Sequence, residues 1–116
     1  MMYYEFLAGG KTYKLRLATK EIVSLEKSLG CNPLGIFGKG DRIPTITEMV
    51  TILHKSLSQY QHGMDMDDAY SIFDNYLADG NAATEFITVI VEVYKVSGLI
   101  KNNKKETTEE EEGKNE

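Results

Sequence analysis

The spacing of apolar residues changes once along this chain, close to residue 18, and this change constrains the fold more than any other feature. Residues 12–17 alternate polar and apolar side chains, a period of two that is typical of a half-buried strand. From residue 19 the apolar residues recur at intervals of three and four, which predicts amphipathic helices. The sequence therefore predicts an α+β domain with an N-terminal β-hairpin followed by a small bundle of three to five helices.

The predicted hairpin has strands over residues 3–7 and 12–17, with Ala8, Gly9, Gly10 and Lys11 between them. Glycine adopts positive φ angles without strain, and a tight hairpin turn requires such angles. The adjacent glycines therefore indicate the position of the turn.

The first three predicted helices have start or stop signals of their own. Thr19 is the expected N-cap of the first helix, and Gly30 is its expected end. Thr45 and Glu48 form a T-x-x-E capping box before the second helix, expected over residues 46–60. Asp65 is the expected N-cap of the third helix. The apolar residues expected on the buried face of the third helix are Met66, Ala69, Tyr70, Phe73 and Leu77.

The last apolar segment, residues 82–97, is compatible with two structures. Its β-branched residues allow a strand, whereas its apolar residues keep helical spacing over a length that strands rarely reach, so a helix is favoured. Residues 101–116 carry no large apolar side chain, which predicts a disordered acidic tail after a domain over residues 1–100. The glutamates of this tail are either solvated or an arm that contacts a basic partner.

Charge and composition exclude several classes of function. The formal net charge of −5 argues against non-specific nucleic-acid binding, because that needs clustered Lys and Arg. The single cysteine cannot form an internal disulfide. The chain shows no signal-peptide pattern at its start and no apolar segment long enough to cross a bilayer. We therefore expect a cytoplasmic protein that contacts neither nucleic acid nor membrane.

The glycine-rich stretch GCNPLGIFGKGDR, residues 30–42, suggests a phosphate-binding loop or a reactive thiol. Gly40 follows Lys39 where a Walker A motif has Ser or Thr, and the stretch follows a predicted helix rather than a strand. Neither histidine of the chain has an adjacent carboxylate that would orient it as a base for Cys31. The stretch is therefore interpreted as a connection between two helices, with a one-turn helix beginning at Pro33.

No other set of residues predicts catalysis or metal binding. Asp65, Asp67 and Asp68 lack the remaining ligands of a calcium loop, and helix capping explains them. One cysteine and two separated histidines do not form a zinc-binding pattern. We expect a binding protein that is not an enzyme and needs no cofactor or metal.

Five stretches, in this order, carry a resemblance to a known family: YYEFLAGGKTYKLRL, IVSLEKSLGCNPLGIF, PTITEMVTILHKSL, DDAYSIFDNYLADG and TEFITVIVEVYKVSGL. Over nearly all of residues 2–100 the chain resembles the phage tail assembly chaperones of tailed phages and prophages of Gram-positive bacteria. The resemblance implies a cytoplasmic factor, absent from the virion, that binds the tape measure protein and keeps it soluble. It also implies help in recruiting tail tube subunits, no enzymatic activity and no cofactor. Many such chaperones have a longer product made by ribosomal frameshifting, and A-rich codons for residues 101–105 would suit it.

A chaperone for a long helical partner needs apolar side chains that another chain can contact. The candidate partner-binding residues are Ile36, Phe37, Tyr70, Phe73 and Tyr94. Core packing is the stronger interpretation for the three tyrosine and phenylalanine residues on helices, whereas Ile36 and Phe37 are as compatible with the surface as with the core. Polar replacement of Ile36 and Phe37 is expected to weaken partner binding without unfolding the domain. The alternative function is a small DNA-binding or regulatory module that uses the second and third helices, and self-association stays open.

Overall fold

The computed structural model describes residues 2–101, and within them an antiparallel hairpin precedes four α-helices, as predicted. The elements in chain order are β1 (Tyr4–Ala8), β2 (Lys11–Leu15), α1 (Thr19–Leu29), α2 (Ile46–Leu57), α3 (Met66–Ala78) and α4 (Phe86–Val96). Short 3₁₀ helices lie over Pro33–Phe37, before α2, and over Ala83–Glu85, before α4. The predicted disordered tail lies outside the described residues except for Lys101, which is exposed.

The hairpin closes through a turn of two residues. Ala8 is opposite Lys11, so Gly9 and Gly10 form the turn, with φ angles of 59° and 78°. The prediction that the two glycines would supply the positive φ angles of the turn is confirmed. The strands are one to two residues offset from the predicted 3–7 and 12–17, because the turn needs two residues rather than four.

The helix ends are determined mostly by local chemistry. The Thr45 hydroxyl accepts a hydrogen bond from the Glu48 N–H at 3.1 Å, and Glu48 Oε1 accepts one from the Thr45 N–H at 2.8 Å. This capping box was predicted and is confirmed. Gly30 ends α1 in the left-handed conformation at φ 74°, also as predicted. The predicted N-cap Thr19 is wrong: Ala18 occupies the N-cap position and forms no side-chain hydrogen bond.

The buried face of α3 differs from the predicted face. Ala69 and Phe73 are buried as expected, but Tyr70 is 46 % exposed and Leu77 is 36 % exposed. Ile72 and Tyr76 are buried in their place. The helix carries more apolar residues than one face can hold. Contact with α2, with β1 and with the Phe86 ring at the start of α4 determines which of them enter the core.

Four aromatic rings join the hairpin to the two last helices. Phe6 of β1 lies 5.1 Å from Tyr76 and 5.6 Å from Phe86 between ring centroids, and Phe73 lies 5.2 Å from Phe86. Such tilted and edge-on pairs add to the stabilisation that burial of the rings provides. The residues of α4 form a helix rather than the alternative strand, and Phe86 and Ile90 are buried in the same core.

Candidate functional site

Three of the five candidate partner-binding residues belong to the core. Ile36 and Tyr94 have no exposed surface, and Phe73 is 3 % exposed. For Phe73 and Tyr94 this confirms the core interpretation. For Ile36 the sequence was equally compatible with a place at the surface and a place in the core. The surface interpretation is wrong, because Ile36 has no exposed surface through which it could contact another molecule in this conformation.

Tyr94 of α4 contacts the glycine-rich stretch, residues 30–42, through its hydroxyl and its ring. Its hydroxyl donates a hydrogen bond to the Pro33 carbonyl at 3.0 Å, and its ring is edge-on to the half-buried Phe37 ring at 6.3 Å. Burial raises the pKa of Tyr94, and the negative charge of Glu48 raises it further, so the phenol stays protonated and continues to donate. The predicted connection between helices is thus attached to the core at Pro33, Ile36 and Phe37, while most of its other residues are exposed.

Arg42 holds the other end of the same stretch. Its guanidinium donates to both carboxylate oxygens of Glu48, at 3.0 and 3.1 Å, and also to the Ile36 carbonyl. Asn32 caps the 3₁₀ helix by accepting a hydrogen bond from the Leu34 N–H at 2.9 Å. The backbone of this stretch is therefore held by structural hydrogen bonds, as expected for a connection rather than a phosphate-binding loop.

Tyr70 is the candidate residue with the largest exposed surface. It lies seven residues before Leu77, and residues seven apart share one stripe of an α-helix. We call these two residues the α3 stripe. The stripe is a surface that the sequence had assigned to the core.

The beginning of α3 bears on the alternative DNA-binding function. Asp65 caps the helix through its hydrogen bond with the Asp68 N–H at 2.9 Å, and Asp67 is also exposed in the first turn. Phosphates approaching this helix end would meet three acidic side chains. This geometry gives no support to a recognition helix.

A groove beside β1 is a site that the sequence analysis missed. Its cavity volume is about 470 Å³, and it lies between β1 and the segment that runs from the end of α3 into α4. The floor contains Phe6, Tyr76 and Val89, all less than 10 % exposed, and Glu5 and Glu85 stand at its walls. In a two-stranded hairpin each strand has one edge that is not paired with a strand. The predicted hairpin was therefore the one signal in the sequence that could have indicated a groove beside a strand edge.

The two edges of the hairpin differ. In this register, Ala8 and Lys11 close the turn as a hydrogen-bonded pair, so the backbone groups of Glu5, Leu7, Thr12 and Lys14 point outward. Gln61 covers the β2 edge at Lys14: its Oε1 accepts from the Lys14 N–H at 2.7 Å and its Nε2 donates to the Lys14 carbonyl at 2.9 Å. Within residues 2–101 no hydrogen bond reaches the outward groups of Glu5 and Leu7 on β1.

The polar side chains that line the groove are two acids, two phenols, the amide of Asn81 and the hydroxyl of Thr88. Burial raises the pKa of Tyr76, and the charge of Glu85 and the proximity of Tyr4 add to this effect. Burial likewise raises the pKa of Tyr4, with a contribution from Glu92. Both phenols therefore stay neutral at neutral pH and can donate hydrogen bonds into the groove.

Across residues 2–101 no three His, Cys, Asp or Glu side chains are grouped so that they could hold a metal ion. In the same part of the chain, no helix combines the length and the apolar character needed to cross a membrane. The groove thus combines a nearly buried floor, polar side chains that include two acids, and backbone groups of β1 without a hydrogen-bond partner in residues 2–101.

Comparison with known proteins gives a family but no described function. No curated protein and no solved structure matches the chain. A model described as a family of unknown function, DUF6096, matches residues 6–116, which is nearly the whole chain. The chain therefore belongs to the DUF6096 family.

Proposed function

We propose that this protein is a phage or prophage tail assembly chaperone that binds the tape measure protein and helps recruit tail tube subunits. It acts in the host bacterial cytoplasm, is absent from the mature virion, and performs no catalysis. The observation that carries the proposal is the ordered set of five stretches that resemble that family across residues 2–100. The fold is compatible with it, because those stretches coincide with the hairpin and the helices that follow.

The α3 stripe supports the proposal at the level of surface chemistry. Tyr70 and Leu77 are two of the large apolar side chains with substantial exposure, at 46 % and 36 %. A long amphipathic helix can pack its own apolar residues against such a stripe at intervals of three, four and seven. The stripe therefore takes over the partner-binding role that the sequence had assigned in part to Ile36 and Phe73.

Co-expression tests the proposal directly. The tape measure protein encoded in the same genome is produced with and without this chain, and its soluble fraction is measured. We expect the chain to raise the soluble fraction and to co-purify with the tape measure protein at a fixed ratio. The proposal would be contradicted if the tape measure protein stayed insoluble in the presence of this chain and the genes next to the one for this chain encoded no tail proteins.

A pair of surface variants locates the contact. Tyr70→Ser combined with Leu77→Ser is expected to weaken co-purification and leave the fold intact, since both side chains are exposed. Val23→Ser is the matched control, because Val23 is equally exposed but lies on α1. Equal loss of binding in both variants would show that the stripe is not the contact.

The nucleotide sequence tests the second expectation of the resemblance. A slippery A-rich heptamer near the codons of residues 101–105, followed by an overlapping reading frame, is expected if a longer product is made. Its absence removes the frameshift hypothesis but leaves the chaperone proposal in place.

A further inference from the structure

We propose that the open edge of β1, with the groove beside it, binds an extended basic peptide segment as an added β-strand. The segment has Lys or Arg alternating with apolar residues. This site is different from the α3 stripe, and the inference does not depend on the proposed function, because it can be tested with a peptide and no tail protein.

The backbone provides the first part of the argument. Glu5 and Leu7 are two residues apart, and each points an N–H and a C=O away from β2. An added strand satisfies both residues with the spacing that strands already have. The matching edge of β2 is covered at Lys14 by Gln61, so the two edges are not equivalent.

The groove provides the second part. An added strand directs alternate side chains to its two faces, one of which meets the floor formed by Tyr76 and Val89. Both floor side chains are apolar over most of their surface and nearly buried, which favours apolar residues at alternate positions of the peptide. Glu85, from the segment between α3 and α4, lines the same groove as β1, so a strand added to β1 would lie beside this segment.

Charge determines the other positions of the peptide. The two charged side chains that line the groove, Glu5 and Glu85, are both acidic, and neither has an ion-pair partner in residues 2–101. Lys14 lies opposite Glu5 in the hairpin but directs its ammonium group over the Tyr3 ring, 4.9 Å from the centroid. A basic side chain beside Glu5 is therefore the complementary choice.

A second copy of the chain fits this edge less well. Antiparallel pairing of two β1 strands would bring two acidic grooves together, and like charges in a shared interface are unfavourable. A separate strand of basic and apolar residues does not meet this obstacle.

The test uses the full chain labelled with ¹⁵N and a short capped peptide of alternating valine and lysine. We expect saturable shifts at the amides of Glu5 and Leu7, slower hydrogen exchange at the same two amides, and affinity that falls with added salt. The same peptide with glutamate in place of lysine is expected to bind at least about tenfold more weakly. Equal binding of the acidic peptide, or shifts that map to another surface, would overturn the inference.

Leu7→Pro and Thr12→Pro form a matched pair of variants. Each removes an outward N–H without removing a bond of the hairpin, but only Leu7 is on the proposed edge. Leu7→Pro is expected to weaken binding about tenfold, and Thr12→Pro is expected to bind as the unmodified chain does. Unchanged affinity in folded Leu7→Pro would overturn the inference.

Two further measurements keep the inference falsifiable if Leu7→Pro does not fold. A peptide methylated on the amides that face Glu5 and Leu7 should lose binding to the unmodified chain, and retained binding would count against strand addition. Protection of the Glu5 and Leu7 amides before any peptide is added would also overturn the inference, since the edge would already be occupied. Protection that rises with protein concentration would identify a second copy as the occupant.

Discussion

The side-chain amide of Gln61 forms with the Lys14 backbone the two hydrogen bonds that a neighbouring strand would otherwise form there. Its Oε1 accepts from the Lys14 N–H at 2.7 Å, and its Nε2 donates to the Lys14 carbonyl at 2.9 Å. The same Nε2 group donates to the Leu57 carbonyl at 2.8 Å, close to the end of α2. One side chain thus satisfies a strand edge and a helix end together.

Gln61→Ala should lower the free energy of unfolding by about 1 kcal/mol, because its three side-chain hydrogen bonds are lost. The Lys14 backbone groups then revert to water, whereas the Leu57 carbonyl keeps its bond from the backbone N–H of residue 61. Urea denaturation measures the change. Gln59→Ala is the control, since Gln59 forms only a 3.3 Å contact with the exposed part of Arg16, and it should change stability by less than about 0.5 kcal/mol. Equal midpoints for both variants would contradict the structural role of Gln61.

Ile36→Ser should destabilise the domain by about 3 kcal/mol, because it leaves a cavity and places a hydroxyl in a site with no exposed surface. Thermal and urea unfolding both measure this. Leu34→Ser, two residues earlier and 40 % exposed, should cost less than about 1 kcal/mol. If Ile36→Ser were as stable as Leu34→Ser, the placement of Ile36 in the core would be wrong.

Tyr94→Phe should lower stability by about 1 to 2 kcal/mol, since the buried Pro33 carbonyl loses its donor. Tyr70→Phe is the control for loss of an exposed hydroxyl and should lie within about 0.5 kcal/mol of the unmodified chain. Equilibrium unfolding compares the two variants. A larger effect for Tyr70→Phe would show that the assignment of these two tyrosines is reversed.

Stability should fall in acid through the two capping carboxylates. The backbone hydrogen bond from Asp68 lowers the pKa of Asp65, and that of Glu48 is lowered because hydrogen bonds from Arg42 and Thr45 outweigh the opposing effect of burial. Groups with lowered folded pKa values contribute stability that is fully present above their unfolded pKa values, about 3.9 for Asp and 4.3 for Glu. That contribution is lost as the pH falls through the folded values.

Urea midpoints measured from neutral pH to about pH 3 test this dependence. Asp65→Asn retains an oxygen that can cap α3 but does not ionise, so its midpoint should change less with pH than that of the unmodified chain. Asp74→Asn, at an exposed position of the same helix, is the control. An acid response that is identical in the Asp65 and Asp74 variants would contradict the prediction.

Local signals in the sequence were sufficient for the hairpin, the helices and most of their ends. The glycine pair, the capping box at Thr45 and Glu48, and the stop at Gly30 each act within a few residues, so spacing alone identifies them. The side chains that enter the core from α3 depend on Phe6, which is far away in the chain, and on Phe86 of the next helix. The sequence consequently misplaced Tyr70 on the buried face.

The groove could not be predicted for the same reason. It is formed by β1, by Tyr76 of α3 and by residues around the start of α4, and no periodic pattern joins these segments. The difference between the two edges of the hairpin depends on Gln61, which lies 47 positions after Lys14. Only the folded arrangement shows that Gln61 covers one edge at Lys14 and that the other edge faces a groove.

The packing of the hairpin on the last helix has a consequence for synthesis on the ribosome. Phe6 leaves the exit tunnel early, but its partner Phe86 follows 80 residues later. The Leu17 N–H donates a hydrogen bond to the Ser97 hydroxyl, which is also 80 positions away. Domains are completed only when their last contacting segment has emerged, at about 5 to 20 residues per second. The nascent hairpin must therefore wait several seconds with its apolar face uncovered, until the segment that carries Phe86 and Ser97 has emerged.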